Sequence, residues 1–192
     1  FDEIDHAWML RFLEHRVADQ RIVRLIRRWL TSGVIENGKR VAAERGTPQG
    51  AVISPLLANI YLHYVLDLWV HQWRRTHATG EVIVVRYADD SVFGFESKAT
   101  AQRFLHDLQA RMGQFGLTLH PDKTRLIEFG RFAATKRRKR GQGRPETFDF
   151  LGFTHCCGTT RQGGFRLLRL TVKKRMRVTL AARSGSADAP PA

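Results

Sequence analysis

Tyr87-Ala88-Asp89-Asp90 lies between two apolar runs, Val82-Ile83-Val84-Val85 before it and Ser91-Val92-Phe93-Gly94-Phe95 after it. Both runs are rich in β-branched and aromatic residues, which fit the pleated, half-buried surface of a strand. We therefore predict an antiparallel hairpin over residues 82–95, with Asp89 and Asp90 at its turn. The hairpin should pack on helices at 55–74 and 98–115.

Two adjacent acids at one exposed turn predict a cation site. Like charges that close repel each other unless a cation shares them. Hard oxygen ligands suit Mg²⁺, which also binds substrate phosphates. Because Asp is a common turn residue, an ordinary acidic turn is the alternative when Asp89 and Asp90 are taken alone.

The chain is strongly basic, with 32 Lys and Arg against 18 Asp and Glu and a formal net charge of +14. Such a surplus predicts a polyanionic partner, most simply nucleic acid, although a solvated basic surface is the alternative. Phosphate contacts would make the affinity sensitive to salt. We assign them to two basic runs: Lys136, Arg137, Arg138, Lys139 and Arg140, then Lys173, Lys174 and Arg175.

Hydrophobic residues make up 43% of the chain, enough for the core of one or two small domains. No apolar run approaches the span of a bilayer, so no membrane partner is predicted. The neighbouring cysteines Cys156 and Cys157 form neither a cross-linking framework nor a zinc spacing. We expect buried or half-buried thiols and a cytoplasmic protein.

The spacing of apolar residues predicts an α+β fold, a mostly antiparallel sheet with helices packed on one face. One or two helices should span Ile4 to about Leu30, with Asp5 as N-cap, before a loop or weak hairpin at 31–45. A further helix should begin with Ser54 as its cap and Pro55 in its first turn.

After the acidic hairpin we predict a helix over 98–115, ended by Gly116, and then two short strands at 117–119 and 125–129. Residues 131–147 read as a basic connection that does not pack. Further strands are predicted at 148–153 and 165–170, and a disordered tail at 184–192.

Several segments occur in an order that resembles the reverse transcriptases of bacterial group II introns, also called intron maturases. The resemblance covers roughly residues 1–178 and implies a palm over 1–130, the basic connection at 131–147, and the end of the palm and start of a thumb-maturase region at 148–183. The matching segments are Phe1-Asp2-Glu3-Ile4-Asp5-His6, Gly46-Thr47-Pro48-Gln49-Gly50, Ser54-Pro55-Leu56-Leu57-Ala58-Asn59, Tyr87-Ala88-Asp89-Asp90, Leu119-His120-Pro121-Asp122-Lys123-Thr124 and Phe150-Leu151-Gly152-Phe153.

The resemblance implies RNA-directed DNA synthesis with two Mg²⁺ ions, which clamp the primer hydroxyl and the leaving pyrophosphate. Asp89 would be a direct metal ligand and Asp90 the supporting acid. The implied partners are intron RNA as template, a DNA primer or target, and dNTPs. Further implied contacts are Tyr87 and Ala88 beside the primer end, Gln49 and Gly50 near the incoming nucleotide, Lys123 toward the triphosphate, and Phe150, Leu151 and Gly152 as primer grip.

For two of these residues a purely structural role is the alternative to nucleotide binding: Lys123 as a turn residue and Gln49 as a loop cap. The family's first motif also carries a metal-binding aspartate at a position before Phe1. The resemblance therefore implies that these 192 residues alone do not polymerise. Two other functional hypotheses stay open: a non-catalytic RNA-binding maturase module, and a degenerate remnant.

Overall fold

The computed structural model describes residues 4–31 and 53–172, together with the backbone of two short strands at 34–36 and 39–41. It divides into two compact units, Phe1–Arg125 and Leu126–Ala192. Within the described residues, no helix is both long enough and apolar enough to cross a membrane. Lys173, Lys174, Arg175 and the predicted tail lie outside the described residues.

The first unit opens with two helices, α1 (His6–Glu14) and α2 (Gln20–Thr31). The Asp5 side chain accepts a hydrogen bond from the Trp8 backbone N–H at 3.0 Å, so the predicted N-cap is confirmed. Strands β1 (Val34–Glu36) and β2 (Lys39–Val41) then pair antiparallel, as the weak hairpin predicted there requires.

A long helical segment follows, made of α3 (Ser54–Leu62), a π-helical turn (His63–Asp67) and α4 (Leu68–Thr76). Ser54 is the first helical residue, and Ile53 occupies the N-cap without a side-chain bond. The prediction of Ser54 as cap is therefore wrong by one position. Pro55 does lie in the first turn, where its missing N–H costs nothing.

The acidic hairpin consists of β3 (Val82–Tyr87) and β4 (Asp90–Phe95), paired antiparallel from Val82 opposite Phe95 to Tyr87 opposite Asp90. Side chains alternate between its two faces. Val84, Phe93 and Phe95 pack against the buried helical core, whereas the outer face leaves Ile83 and Tyr87 exposed. The predicted hairpin, covered by helices on one side, is confirmed, but its turn consists of Ala88 and Asp89, and Asp90 is the first residue of β4.

Helix α5 (Lys98–Gln114) begins after the capping side chain of Ser97, which accepts from the Thr100 N–H at 3.2 Å. Gly116, at φ +70°, ends it, and the Leu117 N–H bonds back to the Met112 carbonyl at 3.0 Å. The strands predicted at 117–119 and 125–129 are absent from this part of the described chain. Both run as irregular chain on either side of a turn at residues 121–123, in which Pro121 has no backbone N–H to give to a strand ladder.

Tyr61 ties this core together, because its buried hydroxyl donates to the Phe115 carbonyl at 2.8 Å. Burial, with the charge of Asp5 adding to it, raises the pKa of Tyr61 from 10.0 to about 12. A pKa raised by folding contributes stability that is complete below the unfolded value and is lost as the pH rises through the folded value.

We therefore expect unfolding measured in urea between pH 10 and 12 to reveal a loss of stability that Tyr61→Phe lacks. The difference between the two proteins should approach about 3 kcal/mol, because a tenfold change in proton affinity is worth about 1.4 kcal/mol. Tyr87→Phe, at a 65% exposed position, is the control and should keep the parent slope. Identical slopes in the parent and Tyr61→Phe would contradict this assignment.

The second unit contains α6 (Ala133–Lys139) and a three-stranded antiparallel sheet of β5 (Phe148–Phe150), β6 (Phe153–Thr159) and β7 (Phe165–Thr171). The prediction that 131–147 does not pack is wrong. Ala, Lys and Arg are good helix formers, and Ala133 is buried.

The single strand predicted over 148–153 is also wrong, because a turn at Leu151-Gly152 separates β5 from β6. Strand β6 itself was not predicted. It carries Cys156 and Cys157, and both are half-buried free thiols, as expected.

Candidate active site

The turn that joins β3 to β4 contains two residues, Ala88 and Asp89. Ala88 has a φ of +52°, and Asp89 is not among the positive-φ residues. A positive φ at the first central position alone is the pattern of a type II′ turn, whose twist suits a hairpin and which favours glycine there. An alanine in this place is strained and must be held by its surroundings.

Asp89 is exposed in this turn, and Asp90 is exposed next to it as the first residue of β4. Asp90 pairs directly across the ladder with Tyr87, so the two share the outer face, away from the helices. Within the described residues, no group of three or more His, Cys, Asp or Glu gathers as a metal cluster. Two carboxylates nevertheless fit Mg²⁺, which commonly takes one or two protein carboxylates and completes its shell with water and phosphate.

Arg86 holds the turn from the inner face and was missed as a functional residue at the sequence level. Its guanidinium forms a two-bond pair with the Asp67 carboxylate, at 2.7 Å and 2.6 Å. It also donates to the Asn59 side-chain oxygen at 2.9 Å and to the Ala88 carbonyl at 2.8 Å. The available signal was a charged residue at an inward position of a strand, where an unpaired charge is costly.

Of the other predicted nucleotide contacts, the structure describes only Lys123. Gln49 and Gly50 lie outside the described residues. Lys123 lies in an exposed turn whose backbone is closed by the His120 carbonyl, at 3.3 Å from the Lys123 nitrogen and 2.9 Å from that of Thr124. Within 53–172, no ion pair joins Lys123 to Asp89 or Asp90. That Gln49, Gly50 and Lys123 contact one bound nucleotide, as the resemblance implies, stays a prediction.

One cavity lies between the inner face of the hairpin and the helical segment. It measures about 340 Å³ and its lining includes Asp67, His71, Arg74, Val84 and Arg86. Neither Asp89 nor Asp90 lines it. Both acids are exposed, so large ligands such as a nucleic acid can reach them.

In the second unit, the predicted primer-grip residues form the turn between β5 and β6. Leu151 and Gly152 both have positive φ, +51° and +83°, which is the pattern of a type I′ hairpin turn. Leu151 is 45% exposed and Phe150 is half-buried. The turn presents an apolar side chain at its tip, and its contact with a primer stays a prediction.

The basic side chains of α6 and of Arg140, which follows it, are of two kinds. Arg137, 19% exposed, donates to the Gly143 carbonyl at 3.1 Å and lies 3.9 Å from Glu146, so it closes the loop that follows. Arg140 pairs with Glu128. Lys136, Arg138 and Lys139 are exposed and remain the candidates for phosphate contact.

Comparison with known proteins places this hairpin in a family. Residues 1–155 match the family described as reverse transcriptase (RNA-dependent DNA polymerase). The match takes in both acids, Arg86 and the helices that carry the hairpin. The chain belongs to the reverse transcriptase family.

Relatives of this reverse transcriptase chain include a protein encoded by a group II intron. The group II intron-encoded protein LtrA of Lactococcus lactis is 43% identical over 72 residues, 38% of this chain and 12% of LtrA. Protein YkfC of Escherichia coli is 29% identical over 154 residues, 66% of this chain and 40% of YkfC. A putative COX1/OXI3 intron 1 protein of Saccharomyces cerevisiae is 25% identical over 172 residues, 65% of this chain and 20% of that protein.

The resemblance to intron-encoded reverse transcriptases is thereby confirmed. The chain spans well under two thirds of the length of each of these relatives.

Proposed function

We propose that this chain supplies the palm of a group II intron reverse transcriptase and maturase. The reaction is nucleotidyl transfer from a dNTP to a primer 3′-hydroxyl on an RNA template. The observation that carries the proposal is the exposed turn of β3–β4, where Asp89 and Asp90 stand side by side on a hairpin anchored to helices. An incidental acidic turn would not need the four hydrogen bonds of Arg86 behind it.

The two acids would hold Mg²⁺, with Asp89 as the direct ligand and Asp90 in support. When bound, Mg²⁺ supplies positive charge that stabilises the attacking and leaving oxygens of phosphoryl transfer. Tyr87 shares the outer face with Asp90, and its exposed ring offers a surface on which a base or sugar of the primer end can lie. Ala88 leaves room for a nucleic-acid backbone beside the acids.

The remaining contacts follow the family order. Gln49 and Gly50 would meet the incoming nucleotide, and Lys123 would approach its triphosphate. The turn of Phe150, Leu151 and Gly152 would hold the primer. The free thiols of Cys156 and Cys157 suit a reducing compartment, which supports a cytoplasmic location.

Primer extension tests the polymerase proposal. The protein, expressed from its complete reading frame, is given an RNA template with an annealed DNA primer and dNTPs. We expect synthesis that requires Mg²⁺ and stops when EDTA is added. An otherwise folded protein that binds RNA but extends no primer would favour the alternative, a maturase module without polymerase activity. A protein that does neither would favour a degenerate remnant.

The basic helix α6 supports a nucleic-acid partner, intron RNA first of all. We expect the triple variant Lys136→Gln, Arg138→Gln and Lys139→Gln to bind structured RNA about 10- to 100-fold more weakly near 0.1 M salt, because up to three phosphate contacts are lost. The slope of log affinity against log salt should become shallower by about 0.7 to 0.9 for each lost contact. Fluorescence anisotropy over a salt series measures both quantities.

A control with the same change in net charge separates local contact from general attraction. Arg75→Gln, Lys98→Gln and Arg103→Gln remove three exposed cations from the first unit. This variant should shift affinity by less than the α6 variant. Equal losses in the two variants would mean that RNA responds to net charge rather than to this helix.

A further inference from the structure

Arg86 is an unusual residue for a hairpin strand. It lies on the inner face of β3, between the exposed side chains of Val85 and Tyr87, and its own side chain is 15% exposed. A guanidinium with so little access to water must direct its N–H groups to protein acceptors. All three of its nitrogens donate hydrogen bonds.

Two acceptors on the helical segment fix its position. The Asp67 carboxylate receives Nε and Nη2 as a parallel pair, a geometry that restrains both orientation and distance. Asn59 Oδ1 receives Nη1, while Asn59 Nδ2 donates to the Pro55 carbonyl at 2.9 Å. Because that second bond orients the Asn59 amide, its oxygen must face Arg86.

The π-helical turn helps to bring these two acceptors to one side. In an uninterrupted α-helix, at about 100° per residue, Asn59 and Asp67 would point about 80° apart. The π-helical turn His63–Asp67 lies between them, and its wider i→i+5 winding reduces the rotation per residue. The two acceptors thereby converge on one guanidinium. Such π-helical turns occur often at functional sites.

The fourth bond reaches the turn itself. Arg86 Nη1 donates to the Ala88 carbonyl at 2.8 Å, and that carbonyl belongs to the peptide group whose nitrogen is that of Asp89. Ala88 is also the residue with φ +52°, a conformation that needs support in a side-chain-bearing residue. The guanidinium therefore ties the strained turn to the helical segment.

We propose that Arg86 is a positioning residue for catalysis, which fixes the Ala88–Asp89 peptide so that the Asp89 carboxylate keeps one direction. Asp67 and Asn59 act through Arg86 by holding its guanidinium. This inference rests on the proposed polymerase function, in which Asp89 holds a metal ion. It assigns to three residues outside the acidic turn a role in the rate of synthesis.

Arg86→Lys tests the proposal because it keeps the positive charge beside Asp67. The lysine ammonium lacks the planar guanidinium that bonds Asp67, Asn59 and Ala88 at the same time. We expect kcat for primer extension to fall about 10- to 100-fold, the size expected when a reacting group is misplaced by about 1 Å. KM for dNTP should stay within about threefold, since Arg86 contacts no nucleotide in this arrangement. Mn²⁺ affinity at the turn, followed by paramagnetic broadening of the Asp89 and Asp90 amide signals, should fall as well.

Arg111→Lys is the matched control. Arg111, from α5, also donates to the helical segment, to the Val65 carbonyl at 3.0 Å and the Tyr64 carbonyl at 3.3 Å. Its bonds reach the same π-helical turn but not the hairpin. A variant that only loosens this segment should lower Tm without changing kcat or Mn²⁺ affinity. An equal fall in kcat for the two variants would overturn the positioning role.

A structural measurement separates failure of this inference from failure of the polymerase proposal. Residual dipolar couplings of the Ala88 and Asp89 amides report the orientation of the turn without any activity, and they should change in Arg86→Lys but not in Arg111→Lys. Unchanged couplings and Mn²⁺ affinity in Arg86→Lys would refute the positioning role even if Asp89 proves essential. Altered couplings in a protein without polymerase activity would support the contact between Arg86 and the turn but refute its role in catalysis.

Discussion

In the protein expressed from its complete reading frame, Asp89→Asn is expected to lower RNA-templated primer extension by about 10³-fold or more, which corresponds to about 4 kcal/mol of lost transition-state stabilisation. The substitution keeps the size of the side chain at this exposed turn and removes the negative charge that would hold Mg²⁺. Affinity for RNA should change little, because the proposed phosphate contacts lie on α6. Single-turnover extension and anisotropy on the same preparation measure the two effects.

Glu96→Gln is the control for the loss of one acid from the same hairpin. Glu96 is exposed just beyond β4, at the end opposite the turn. It should retain synthesis within about twofold, as surface substitutions away from a site usually do. Retained synthesis in Asp89→Asn would refute the catalytic assignment. Equal losses in the two variants would point to the charge of the hairpin as a whole.

Phe104→Ala should destabilise the first unit by about 3–5 kcal/mol, the range for removal of a buried aromatic ring. Phe104 is 2% exposed on α5 and joins both layers of the unit. Its ring centroid lies 4.9 Å from that of Trp73, 4.8 Å from Phe93 and 5.0 Å from Phe95. Denaturant unfolding measures the loss, and Tm should fall by about 10 °C or more.

Phe132→Ala provides the comparison, since it removes the same ring from a side chain that is 64% exposed. Its effect should stay within about 0.5 kcal/mol. A Phe104→Ala protein as stable as this control would mean that the helices and hairpin do not share one core.

The features that could be predicted from the sequence are those set by local pattern. The β3–β4 hairpin follows from two β-branched runs around a short turn, and the Asp5 cap and the Gly116 helix end follow from their side chains. The exposure of Asp89 follows from its place in that turn, and that of Asp90 from its place next to the turn. Each of these depends on residues close together in the chain.

The features that were missed depend on distant partners or on unusual turn residues. Arg86 gains its role from Asp67 and Asn59, which precede it by 19 and 27 residues. The break at Leu151-Gly152 lacks the Asn-Gly or Asp-Gly that signals a type I′ turn. Helix α6 was hidden because its many charges were interpreted as solvated chain, although their helix propensity is high.

The placement of β3–β4 has a consequence for mutational tolerance. A two-stranded hairpin is only marginally stable alone, so its order depends on the helical layer beneath Val84 and Phe93. Substitutions that unfold that layer would lower total activity by reducing the amount of folded protein. A deep mutational screen scored on activity would therefore rank residues such as Leu108, buried on the helical side, beside Asp89. Only a parallel abundance measurement would separate the two groups.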